Sequence, residues 1–352
     1  MTDTNLKAAP APGRWRSQCR CIDIHTHVVP EQFPKYAGRS LNLPWPSMVE
    51  AQSCHRHVMI SGKIYRTVSD HSWDIGKRIN DMDQQTITRQ VLSPMPELLS
   101  YWLPAEDGAL LARFMNDSIA EMIARARDRF LGLGTVPLQD IDRAIRELEY
   151  LCTELHLSGV EIGSNIDGVV IGDPKFLPFF EAAQRLNAAV FVHALKPAGM
   201  DRLVGPAQLE QLLAFPGEIG LAAASMMTGG TLHALPGLRI AFSHGGGSLP
   251  TLIPRLEHGW NKVASLQQTM PKPPSVLARQ MFYDDLVYDR DALKNLLRVY
   301  GASQIMIGSD YPFVIMDRDP VASLEALELD DATVRLLAQD NALRWLAIKA
   351  AQ

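Results

Sequence analysis

Eight short apolar runs recur along the chain, and their alternation with helix-like segments constrains the fold more than any other feature. Most runs are continuously apolar, which is typical of parallel strands that are buried on both faces. The runs are CIDIHTH (21–27), TRQVLSPM (88–95), RFLGLGTVPL (129–138), GVEIGS (159–164), AAVFVHAL (188–195), LRIAFSHGGG (238–247), QMFYDDLVY (280–288) and IMIGSDYPF (305–313).

Segments with apolar residues at helical spacing lie between these runs, and several open with Asp or Pro, which favour a first helical turn. The predicted helices cover 109–127, 140–155, 174–186, 206–227 and 289–299. This repeated alternation predicts an α/β fold, the parallel (β/α)8 TIM barrel. A doubly wound sheet is the alternative, but no glycine fingerprint for a dinucleotide follows the first run.

The length of 352 residues fits one large α/β barrel. We expect residues 1–20, which are rich in Ala and Pro, to form a disordered tail, and residues 21–352 to form a single domain. More than forty residues without a helical pattern precede a helix expected near Ile75. We interpret about 31–74 as a small inserted lobe after the first strand, with a hairpin that turns at Ser61-Gly62.

Composition excludes several classes of protein. The net charge is -5 without a basic block, so nucleic acid is not expected as a partner. No apolar run reaches the roughly 18 residues that cross a bilayer, and the first twenty residues lack a secretory signal. The four cysteines show no CxxC pair, which indicates reduced thiols and a cytoplasmic protein.

Five side chains suited to metal binding or proton transfer fall towards the ends of predicted strands, where a barrel places its catalytic groups. They are His25 and His27 in the first run, His193 in the fifth, His244 in the sixth and Asp310 in the eighth. His25 and His27 are two residues apart, so in a strand both side chains project from the same face.

Three imidazoles and one carboxylate suit a divalent metal, with zinc as the first expectation and manganese, iron or cobalt as alternatives. The predicted ligands are His25, His27, His193 and Asp310. His244 then remains as a base or acid, because an unperturbed imidazole has a pKa of about 6.5. A fifth ligand is the alternative role for His244.

The pattern of these five residues resembles the amidohydrolase superfamily. Within it, the chain is similar to the metal-dependent decarboxylases related to 2-amino-3-carboxymuconate-6-semialdehyde decarboxylase. The matching segments are DIHTHVVP (23–30), GKIYRTVSDHSWD (62–74), RINDMDQQTITRQVLS (78–93), FLGLGTVPLQ (130–139), VFVHAL (190–195), FSHGGGSLP (242–250), FYDDLVYD (282–289) and GSDYPF (308–313).

The resemblance implies one bound metal, usually zinc, at the four predicted ligands, with His244 as the catalytic histidine and Asp310 or His244 as the proton donor. It also implies that Arg66 binds a substrate carboxylate and that Arg255 reaches the site of a neighbouring subunit. Planar guanidinium groups suit carboxylates. A homodimer or a higher homo-oligomer is therefore expected.

The implied activity is non-oxidative decarboxylation of an unsaturated or aromatic acid in aromatic catabolism, with a substrate like aminocarboxymuconate semialdehyde. A metal-dependent hydrolase or hydratase on the same scaffold is the alternative. A catalytically silent scaffold is a third hypothesis, but such a chain would be expected to have lost one of the five residues. The segment after His193, ALKPAGMDRLVGP, lacks the tryptophan of the most similar family members, which leaves the substrate open.

Overall fold

Eight parallel strands form the central sheet of the computed structural model, which describes residues 20–40 and 42–348. They are β1 Ile22–Val28, β5 Arg89–Pro94, β6 Phe130–Gly134, β7 Gly159–Gly163, β10 Ala189–His193, β11 Ile240–Phe242, β12 Phe282–Asp284 and β13 Ile305–Met306. They neighbour one another in that order. The predicted tail, apart from Arg20, lies outside the described residues.

The barrel closes between β1 and the segment that follows β13. The Ile24 amide donates to the Ile307 carbonyl at 2.9 Å, and the His27 amide donates to the Tyr311 carbonyl at 2.7 Å. Each strand is separated from the next by helical chain, which confirms the predicted (β/α)8 barrel.

Helices occupy the connections, and several differ at their ends from the predicted segments. They are α1 Ile75–Gln84, α2 Ala105–Ala124, α3 Ile141–Thr153, α4 Leu177–Arg185, α5 Phe215–Thr228, α6 Thr231–Ala234, α7 Leu249–Trp260, α8 Ala264–Thr269, α9 Pro274–Ala278, α10 Arg290–Tyr300, α11 Pro320–Glu325, α12 Asp331–Arg335 and α13 Asn341–Trp345. Helix α5 begins later than predicted because residues Glu210–Ala214 form a π-helical turn, after which the regular α-helix starts with Pro216 in its first turn.

The inserted lobe after β1 is a three-stranded antiparallel sheet, which confirms an insertion at this point of the barrel. Its strands are β2 Ser47–Glu50, β3 His55–Ile60 and β4 Lys63–Ser69. Ser61 and Gly62 connect β3 to β4 with φ angles of 53° and 72°, as a two-residue hairpin requires. Val58 and Val68 are buried against residues that follow β5, so the lobe covers part of the barrel's C-terminal face.

Two smaller features complete the described fold. A two-stranded antiparallel ribbon, β8 Asn165–Ile166 with β9 Val169–Val170, follows β7. At the other end of the barrel, the fully buried Trp345 packs with Ile22, Phe191 and other strand residues. No helix in the described ranges is long and apolar enough to span a membrane.

A substitution at Gly159 would test how tightly neighbouring strands of the barrel wall pack. It pairs with Ala189 of β10, and a Cβ at this position would lie 1.9 Å from the Ala189 carbonyl oxygen. We expect Gly159→Ala to lower the free energy of unfolding by about 1–3 kcal/mol, measured by urea denaturation. Gly217→Ala is the control, because Gly217 is exposed in α5 and a Cβ there meets nothing within 4 Å. Equal stability of the two variants would contradict this reading of the wall.

Candidate active site

Three histidines and one aspartate converge at the C-terminal end of the barrel. His25 and His27 come from β1, His193 is the last residue of β10, and Asp310 lies four residues beyond β13. One ligand atom from each lies within 4.8 Å of the others, and all four residues are buried. The structure therefore brings together the four side chains that the sequence predicted as ligands.

Each histidine is held by its Nδ1 atom, so its Nε2 atom is left for the centre of the cluster. The Nδ1 atoms of His25, His27 and His193 lie 2.7 Å from Asp284 Oδ2, 3.0 Å from the Pro94 carbonyl and 3.0 Å from the Ala194 carbonyl. These partners are acceptors, so each Nδ1 carries a proton, and a ring in its neutral form then presents a lone pair at Nε2 to a metal ion.

The Nε2 atoms of the histidines lie close to one another and to Asp310. The Nε2 atoms of His25 and His27 are 3.1 Å apart, and Asp310 Oδ1 lies 3.1 Å from His27 Nε2. His193 Nε2 and Asp310 Oδ1 are buried with no hydrogen-bond partner among the described residues. Buried acceptors without a donor are costly, and a divalent cation between them removes that cost. The cluster therefore fits a metal ion.

The charges around the cluster also favour a cation. Burial by itself lowers the pKa of His25, but its hydrogen bond with Asp284 and the nearby carboxylates of Asp310 and Glu161 outweigh burial and raise that pKa to about 9. The same negative field stabilises a metal ion at this position.

His244 lies beside the cluster. Its ring centroid is 5.2 Å from that of His193 and 5.6 Å from that of His25. Burial, with a smaller contribution from His25, lowers the pKa of His244 to about 4, so the ring is neutral near pH 7 and keeps one unprotonated nitrogen. The structure thus places this predicted catalytic residue next to the ligand group.

Asp284 is a site residue that the sequence reasoning missed. It is fully buried at the end of β12, and Oδ2 lies 2.7 Å from His25 Nδ1. Its two oxygens also accept from the backbone amides of His244 and Gly245, at 3.0 and 2.7 Å. One carboxylate therefore orients both a ligand and the candidate base. The strand-end rule did not select Asp284, because the predicted seventh run extends to residue 288, whereas β12 ends at Asp284.

The two predicted substrate arginines differ in position. Arg66 lies on β4 of the inserted lobe and lines the same cavity as His193, His244 and Asp310. Its guanidinium carbon is 4.4 Å from the centre of the Phe313 ring. Arg255 is exposed on α7 and is not among the residues that line this cavity of the described chain. Its role therefore stays a prediction.

Sequence comparison identifies the class of protein. The family model described as amidohydrolase matches residues 22–348, so the chain belongs to the amidohydrolase family. A curated relative, 2-amino-3-carboxymuconate-6-semialdehyde decarboxylase from Dictyostelium discoideum, is 36% identical over 329 residues, which cover 93% of this chain and 91% of the relative.

Solved structures agree with this family. IDCase from Metarhizium anisopliae has a TM-score of 0.81 at 22% identity, with 95% of this chain and 99% of that chain covered, and it supports the fold. The 5-carboxyvanillate decarboxylase of Novosphingobium aromaticivorans was solved with manganese and 4-hydroxy-3-methoxy-5-nitrobenzoic acid. Its TM-score is 0.70 at 27% identity, and the match covers 79% of this chain and 82% of the chain in that structure.

These comparisons confirm the family and the reaction class that the sequence predicted. The Dictyostelium discoideum and Novosphingobium aromaticivorans relatives are decarboxylases, and neither supports the hydrolase or hydratase alternative. The predicted divalent metal site is supported as well, whereas the specific expectation of zinc is not, because the solved relative holds manganese.

Asp284 gives a direct test of how the metal site is built. We expect Asp284→Asn to weaken metal binding by roughly 10- to 100-fold, because the amide is a weaker partner for His25 Nδ1 than the carboxylate. Metal affinity would be measured by competition titration with a chelator. Asp289→Asn is the matched control, since Asp289 is exposed and its side chain accepts from the Ala292 amide at the start of α10. Unchanged affinity in Asp284→Asn would contradict the assigned role.

Proposed function

We propose that the chain catalyses metal-dependent, non-oxidative decarboxylation of an aromatic or unsaturated carboxylic acid in aromatic catabolism. The observation that carries the proposal is one cavity lined by His193, Asp310, His244 and Arg66. It combines part of a buried metal-ligand group with a neutral imidazole and a guanidinium. The family of the chain and the activity of its relatives support the same reaction.

The proposed metal ligands are His25, His27, His193 and Asp310. A divalent ion bound there would act as a Lewis acid that withdraws electron density from substrate oxygens. Zinc is our first proposal because of the three imidazoles and one carboxylate. Manganese is equally consistent with this donor set and is present in the solved decarboxylase of Novosphingobium aromaticivorans.

The remaining residues have separate tasks in the proposed reaction. Arg66 binds and orients a substrate carboxylate. The carbon that bears the departing carboxylate first takes up a proton, with His244 or Asp310 as the donor. The bond to the carboxylate then breaks, its electron pair returns to the unsaturated system of the substrate, and CO₂ leaves. The reaction consumes one proton and needs no oxidant.

The proposed substrate is an unsaturated or aromatic carboxylic acid of the same kind as aminocarboxymuconate semialdehyde and the hydroxylated or amino benzoates. The 36% identical relative acts on 2-amino-3-carboxymuconate-6-semialdehyde, and the solved relative acts on 5-carboxyvanillate. The distinct segment after His193 supports a substrate that differs from the first of these. An acid of this kind is also the proposed small-molecule partner of the chain.

We also propose the organisation and location of the protein. Residues 21–352 would form one domain, with the lobe at about 31–74 and the catalytic unit a homodimer or higher homo-oligomer. A cytoplasmic location is supported by the four cysteines, which show no framework spacing.

CO₂ release from metal-analysed protein tests the proposed reaction. The metal-loaded chain should release CO₂ from at least one acid of the proposed class, and a chelator should abolish that release. His244→Ala should retain the metal but lower kcat by roughly 100-fold or more, because proton transfer is lost. His258→Ala, at an exposed position of α7, is the matched control and should keep full activity. One metal per chain without CO₂ release from any such acid would reject the proposal.

Complementation tests the proposed action of Arg255 in the partner's site. Arg255→Ala and His244→Ala chains should each be nearly inactive. Heterodimers of the two, co-expressed with different tags, should regain about half of the wild-type rate, because one of their two sites then has both residues. Heterodimers that remain inactive would show that Arg255 does not act across the interface.

A further inference from the structure

Glu97 is a buried acidic residue of the cavity to which the proposed reaction assigns no task. It lies just after β5, in a short 3-10 helix at Pro96–Leu99, where the barrel places groups that contact substrates. Only 5% of its surface is exposed. It lines the same cavity as Arg66, His193, His244 and Asp310.

The two carboxylate oxygens of Glu97 have different surroundings. The Tyr65 hydroxyl donates to Oε1 at 2.6 Å, and Arg66 Nη2 lies 3.6 Å from the same atom. Oε2 is buried and has no hydrogen-bond partner anywhere in the ranges that the structure describes. A buried carboxylate oxygen without a donor is costly, so a donor from a ligand would stabilise the site.

The charges beside the cavity do not match a ligand that is only an anion. Glu97 lies 3.6 Å from Arg66 and already offsets its charge. Burial, and then repulsion by Glu97, raise the pKa of Glu210, which also interacts with Arg66. Two carboxylates therefore surround one guanidinium. Such surroundings favour a ligand that brings a hydrogen-bond donor together with its carboxylate.

We propose that Glu97 determines substrate specificity by accepting a hydrogen bond from an N–H or O–H group of the substrate at Oε2. Arg66 would bind a carboxylate of the same molecule. Among acids of the proposed class, Glu97 would then select those that present an amino or hydroxyl group to Oε2. This inference rests on the proposed decarboxylase site, because it assigns the acid to that cavity.

A purely structural role for Glu97 predicts a different result. If Glu97 only held Tyr65 and Arg66 in place, its loss would weaken the binding of every acid to a similar extent through Arg66. If Glu97 contacts the substrate, its loss would weaken only acids that carry a donor. The ratio of affinities for acids with and without a donor therefore separates the two roles.

The experiment is calorimetric titration of metal-loaded protein with benzoate, with the three aminobenzoate isomers and with the three hydroxybenzoate isomers. The wild-type chain should bind at least one amino or hydroxy acid more tightly than benzoate. Glu97→Gln should lower that preference by roughly 10- to 100-fold, as expected for a hydrogen bond to a charged acceptor. Its affinity for benzoate should stay at or above that of wild type, because the variant removes a negative charge beside Arg66, and its metal content should stay close to wild type.

Arg66→Lys is the matched comparison. It should weaken benzoate and the preferred acid by similar factors and leave their ratio unchanged, because both acids use the same guanidinium. A wild-type chain without a donor preference, or an equal loss for all acids in Glu97→Gln, would overturn the inference. Failure of the proposed reaction shows separately, as the absence of CO₂ release, whereas the binding ratio does not depend on turnover.

Discussion

The close approach of two histidine nitrogen atoms inside the barrel is the constraint on which the rest of the site depends. Nε2 atoms of His25 and His27 lie 3.1 Å apart, in a buried place where water does not separate them. Neutral rings can stay in this arrangement only if each proton is held on the opposite nitrogen. The carboxylate of Asp284 and the carbonyls of Pro94 and Ala194 do this, and they come from three different strand ends.

The closure of the barrel supplies the remaining ligand. Ser309 donates to the buried Asp23 carboxylate from its hydroxyl at 2.6 Å and from its amide at 3.1 Å. The amide of Asp310 donates to the His25 carbonyl at 2.8 Å. These contacts fasten the segment after β13 to β1. The same backbone contacts that close the sheet therefore place Asp310 beside the histidines of the first strand.

A buried arginine also fixes the position of β1. Arg78 of α1 is fully buried, and it donates to the His27 carbonyl and to Gln90 Oε1. Burial lowers the pKa of Arg78 to about 10, so the guanidinium keeps its charge at neutral pH. Above the site, Phe313 stacks on His27 with ring centroids 5.0 Å apart and also contacts Arg66. Phe313 thus connects the ligand His27 of the barrel with Arg66 of the lobe.

The sequence by itself determined the repeat of eight strands, the place of the insertion and the residue types at the strand ends. Strand periodicity carries that information, because it states which face a side chain occupies and where a strand stops. Only the tertiary structure decided which side chains meet. Asp284 contacts His25 across 259 residues of sequence, and Glu97 meets Tyr65 across 32. Such pairs depend on strand register and on how the lobe packs, and a local sequence pattern does not encode either.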